Sequence, residues 1–69
     1  MIRLRDSQTG NLVYLAKHLI DTVRIICLTD DEVPYIIQVN KTLGVEQQFP
    51  TEEDAIDYVA NNILNNENS

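Results

Sequence analysis

The last third of the chain constrains its fold more than any other stretch. Phe49-Pro50-Thr51-Glu52-Glu53-Asp54-Ala55-Ile56-Asp57-Tyr58-Val59-Ala60-Asn61-Asn62-Ile63-Leu64 reads as an amphipathic helix with its own start signal. Pro50 ends the preceding segment, because it fixes φ and donates no backbone hydrogen bond. Thr51 is a favoured N-cap, with an acid three residues on as in a capping box. Glu52, Glu53 and Asp54 fill the first turn, where the helix dipole favours negative charge. At about 100° per residue, Ala55, Ile56, Val59, Ala60, Ile63 and Leu64 form one apolar stripe, with Asp54, Asp57, Tyr58, Asn61 and Asn65 opposite. A helix over 51–64 with a wet face through Asp57 and Tyr58 is the expectation.

Three extended segments precede it, at about 23–28, 34–39 and 44–49. Val23-Arg24-Ile25-Ile26-Cys27-Leu28 is rich in β-branched residues, and Thr29-Asp30-Asp31-Glu32 makes a turn. Pro34 can open the next strand without costing an interior ladder bond. Connections this short imply an antiparallel meander packed on one face by the helix. The expected class is therefore α+β. The first two strands are apolar at almost every position, whereas a sheet with one wet face should alternate. A second cover is needed, either the N-terminal segment or another copy of the chain.

Two readings fit that N-terminal segment. Asn11 could cap a helix whose stripe is Leu12, Leu15, Ala16, Leu19 and Ile20. Alternatively, Asp6-Ser7-Gln8-Thr9-Gly10-Asn11 could turn a hairpin between Ile2–Arg5 and Leu12–Leu15. Five apolar positions at helical spacing tilt the choice to the helix. That choice gives the element order α-β-β-β-α, shared with double-stranded RNA-binding domains. The likeness ends at topology, since Glu52-Glu53-Asp54 stands where such a domain presents basic residues to phosphate.

With 69 residues the chain forms one small domain, expected to span 1–64, with a frayed polar tail at 65–69. Cys27 is the single cysteine, so no disulfide can staple the fold, and it reads as a core thiol within an apolar run. No segment is long and apolar enough to cross a membrane, and the start of the chain lacks a secretory apolar core. A soluble cytoplasmic protein is the expectation.

Charge is the strongest global signal. The net is −6, unevenly spread. Residues 1–24 hold four cations against Asp6 and Asp21, a net of +2; residues 25–69 hold Lys41 against nine acids, a net of −8. Direct nucleic-acid binding needs a basic footprint that this balance does not offer. An acidic surface steers towards basic partners.

Motifs for chemistry are sparse. His18 would share a helix face with Tyr14 and Asp21, but polar residues share the outer face of any amphipathic helix. There is no phosphate loop, no dinucleotide fingerprint and no nucleophile elbow, so no cofactor, metal or enzymatic activity is expected. Asp30-Asp31-Glu32 lacks the spacing of an EF-hand loop and reads as an exposed hairpin tip. Tyr58 among acids and amides resembles the aromatic anchors of protein interfaces.

These features point to a small acidic protein-interaction module. It would act as a regulator, an inhibitor or a mimic of nucleic-acid charge that binds a basic surface on another protein. The candidate contact residues are Asp30, Asp31, Glu32, Glu53, Asp54, Asp57 and Tyr58. The alternative is a homo-oligomeric structural module, a homodimer for example, in which the second sheet face is buried by its own copy. A small ligand-binding protein or enzyme is the third reading.

Overall fold

In the computed structural model, which describes residues 1–64, the N-terminal segment is a β-hairpin and not a helix. Strands β1 (Ile2–Asp6) and β2 (Leu12–Leu15) pair antiparallel, Ile2 opposite Leu15 and Leu4 opposite Val13. The turn chemistry decides the outcome. The Asp6 carboxylate accepts from the backbone N–H groups of Gln8 (2.8 Å) and Thr9 (3.2 Å). Gly10 closes the turn at φ 77, a left-handed conformation cheap only for glycine. Strand alternation also serves the core better than helix periodicity. Ile2 and Leu4 point inwards and are almost fully buried, while Arg3 and Arg5 point out. Leu12 and Leu19, both counted in the helical stripe, lie exposed.

The hairpin joins the sheet. Strands β3 (Val23–Cys27), β4 (Tyr35–Val39) and β5 (Leu43–Gly44) complete a five-stranded antiparallel sheet in the order β2-β1-β5-β4-β3. The expected three-stranded meander is three of the five strands of this sheet. Its third strand is shorter than the 44–49 read from sequence and starts one residue earlier. The chain stays beside β4 through a bond from Val45 N–H to the Ile37 carbonyl, then returns in a single bridge between Tyr35 and Phe49. The β4–β5 turn is tight. Asn40 (φ 52) and Lys41 (φ 74) are both left-handed, and Thr42 N–H donates to the Asn40 carbonyl at 2.8 Å.

Residues 16–22 carry the chain from β2 to β3, opposite edges of the sheet, through one 3-10 turn at Lys17–Leu19. Asn40 anchors this crossover. Its Oδ1 accepts from Asp21 N–H (2.6 Å) and Thr22 N–H (3.2 Å), and its Nδ2 donates to the Leu19 carbonyl. Ile20 of the crossover packs against the core.

Helix α1 (Glu52–Tyr58) starts as the sequence indicates, with Thr51 Oγ1 accepting from Asp54 N–H at 3.1 Å. From Val59 to Ile63 the helix widens into a π-helical turn, and Leu64 N–H donates to the Val59 carbonyl. The widening has a packing consequence. In an α-helix each step of four residues overshoots a full turn by about 40°. A wider turn undershoots, and so returns Ile63 to the side of Ala55. Ala55, Val59 and Ile63 form the buried seam.

The other half of the expected stripe is not buried. Ile56, Ala60 and Leu64 are exposed, and Tyr58, expected on the wet face, is half-buried against the core. The cause is the segment between β5 and α1. Phe49 is buried and meets the Tyr58 ring at 5.2 Å between centroids, inclined 49°. This contact turns the helix towards Tyr58 and away from Ile56. Asn65 and the proposed tail at 65–69 lie outside the described residues.

One face of the sheet is therefore covered. Leu4, Ile37 and Val39 are fully buried at its centre, and the cluster extends through Leu43, Val45, Phe49 and the helical seam. No helix among the described residues is long and apolar enough to cross a membrane.

Candidate functional site

The fold gathers acids from two separate stretches at one end of the sheet. The loop holding Asp30, Asp31 and Glu32 joins the end of β3 to the start of β4, closed by Leu28 N–H to the Pro34 carbonyl at 2.7 Å. At that same end Phe49 pairs with Tyr35, so Pro50 and Thr51 lead the chain into α1 there. Glu52, Glu53 and Asp54 follow in its first turn. All six acids are exposed, and neither stretch (27–35 or 49–54) contains a basic residue. Lys41 sits in the turn at the far end of β4.

Tyr35 lies at this end of the sheet, opposite Cys27. Its pKa is raised, first by a hydrogen bond with the Cys27 side chain, then by the charge of Cys27, by burial and by the negative charge of Glu52. Cys27 itself is exposed at the end of an edge strand, not buried as its apolar neighbours suggest.

The candidate contact residues divide into groups. Asp30, Asp31 and Glu32 share the acidic end with Glu53 and Asp54. Asp57 is exposed one turn along the helix. Tyr58 belongs elsewhere. Its ring packs on Phe49 and lines a groove of about 280 Å³ with Met1, Arg3, Glu46, Gln47 and Asn62. Tyr58 is thus part of the join between helix and sheet before it is part of any acidic surface. Glu52, omitted from the sequence-derived set, belongs with the acidic end; its position directly after the N-cap was the available signal.

At the groove Glu46 accepts from Arg5 Nε (3.0 Å) and Nη2 (2.7 Å), and its other oxygen lies 3.2 Å from Arg3. These contacts hold the Glu46 carboxyl below the usual glutamate range, the Arg5 hydrogen bonds contributing most. The helix that would have set Tyr14, His18 and Asp21 on one side does not form: Tyr14 is in β2, His18 in the 3-10 turn and Asp21 beyond it. Among the described residues no three His, Cys, Asp or Glu side chains converge to hold a metal ion.

Comparison with protein-family models, curated proteins and solved structures yields no match.

Proposed function

We propose that this protein is a small acidic interaction module whose acidic end binds a basic surface on another protein. One observation carries the reading: Asp30-Asp31-Glu32 and Glu52-Glu53-Asp54, about 20 residues apart in sequence, meet at one end of the sheet with no basic residue in either stretch. Either stretch alone would be an ordinary solvated turn or helix start. Together they give one end of a 7.9 kDa protein a concentrated negative field. Such a field accelerates encounter with a basic partner and suits a regulator, an inhibitor or a mimic of nucleic-acid charge.

The test is affinity capture from the native host with wild-type protein and with a variant in which Asp30, Asp31 and Glu32 are lysine. The captured protein should be basic at its contact surface. The variant should lose it mainly through slower association, and added salt should weaken wild-type binding as screening shortens to about 8 Å at physiological ionic strength. A partner retained equally by both proteins, at low and high salt, would refute the proposal.

A further inference from the structure

Among the described residues nothing covers the face of the sheet away from the helix, and the composition of that face is set by the strand register. One row across it reads Arg24, Gln38, Gly44, Arg5, Leu12, each residue paired with the next. The neighbouring row pairs Ile26 with Ile36 at one side and Arg3 with Tyr14 at the other. Glu46 sits between them, held by Arg3 and Arg5. Apolar side chains thus flank the face on both sides, and its centre is bare backbone at Gly44.

The glycine is unexplained by the fold. Its φ is not left-handed, and a Cβ there would meet the Ile37 carbonyl oxygen at 3.7 Å and the Arg5 carbonyl oxygen at 4.0 Å, ordinary contacts. Glycine within a strand weakens it, and a bulge, a tight bend or a site of close approach by another backbone are its usual reasons.

We infer that the outer sheet face packs against the same face of a second copy, about a two-fold axis running along β5. Under that rotation β3–β4 of one copy lies over β1–β2 of the other. Ile26 then meets the partner's Tyr14, and the contact occurs twice, as an isologous interface requires. Gln38 lies opposite the partner's Arg5. Gly44 faces the partner's Gly44, so no side chain from this position stands between the two sheets at the axis. The three arginines on the face are set against Gln38, Ile36 and Leu12 of the partner, not against each other. The two Glu46 carboxylates meet near the axis, each already held by two arginines of its own chain.

Size agrees. The molecule is a slab of 36 × 28 × 15 Å. Its broad side can supply the roughly 800 Å² per partner that a stable interface buries. A fold with one covered face and no disulfide gains the second core layer that a chain of this length otherwise lacks.

Sedimentation equilibrium over a concentration series tests the inference, with circular dichroism confirming that each variant is folded. Wild-type protein should dimerise reversibly. Tyr14→Lys, at an exposed position, and Gly44→Arg, at the bare centre, should each raise the dissociation constant by about tenfold or more. Should Gly44→Arg fail to fold, Gly44→Ala replaces it and should weaken the dimer measurably. Ile56→Lys on the helix and the lysine variant of residues 30–32 should leave the dimer intact. The reading is overturned by a wild-type monomer at millimolar concentration. It is equally overturned by a dimer that ignores Tyr14→Lys and the Gly44 variant, or by one that only Ile56→Lys disrupts.

Discussion

The two faces of the sheet are built by the same strands and could hardly differ more. On the covered face every central position is aliphatic or aromatic, and Leu4, Ile37 and Val39 see no solvent. On the open face arginine, glutamine, glycine, isoleucine and tyrosine alternate across the rows, and Tyr14 remains 60% exposed. The covered face holds the fold together and leaves little choice of side chain. The open face carries three of the five basic residues of an acidic chain, Arg3, Arg5 and Arg24.

Substitution should separate the faces by the size of its effect. Leu4→Ala, at the centre of the covered face, should cost about 2–5 kcal/mol. That approaches the whole stability expected for a domain of this size. Ile36→Ala, two strands away and on the open face, should cost the monomer under about 1 kcal/mol, since the side chain is only partly removed from water. Chemical denaturation at a concentration where the protein is monomeric compares them. Equal losses would mean that the open face is covered within the monomer after all.

The helix offers the same contrast around one axis. Val59→Ala should cost about 1–3 kcal/mol, while Ile56→Ala, half exposed, should cost less than about 1 kcal/mol. Thr51→Ala should cost about 1 kcal/mol through loss of the cap to Asp54. Thermal melts order the three. Ile56→Ala proving worse than Val59→Ala would rotate the helix back to the phase its sequence suggests.

That phase error shows where sequence is legible. The helix start was readable because Pro50, Thr51 and the acids act locally. The buried side was not, because six apolar positions offer a stripe wider than one sheet can cover. The choice between Ile56 and Tyr58 fell to Phe49, which packs on Tyr58 from outside the helix. The helical reading of the N-terminal segment fails for a related reason. Leu12, Leu15, Ala16, Leu19 and Ile20 fit helical spacing, but β1 needs a partner strand and the Asp6–Gly10 turn supplies one. The acidic residues were visible as residues. Their meeting at one end was not, since it depends on the bridge between Tyr35 and Phe49. Gly44 reads from sequence as the start of the third strand, and its place at the centre of the open face emerges only from register.

Gly44→Ala sharpens the comparison because it should move two quantities in opposite directions. The monomer should gain about 0.4–1 kcal/mol, since alanine loses less backbone freedom on folding and its Cβ meets only ordinary contacts. The dimer should weaken, since a methyl group is added where the two copies approach. A melt in dilute solution and a dissociation constant in concentrated solution check the pair. Gains in both would leave the glycine without a functional reason.

The smallest expected effect is the pH dependence of the exposed ion pairs on the open face. Arg5 and Arg3 lower the Glu46 pKa in the folded chain from an ordinary 4.5. The folded state therefore holds the proton less tightly than the unfolded state does. The resulting stabilisation is fully present above about pH 4.5 and is lost as the pH falls through the lower, folded value. Glu46→Gln removes the linkage. Between pH 5 and pH 3 the melting temperature of wild-type protein should fall more steeply than that of the variant, and the gap should narrow in high salt because the pair is solvent-exposed. Parallel acid profiles would show that Glu46 and its arginines decorate the open face without stabilising it, leaving its apolar flanks and bare centre as the features that matter.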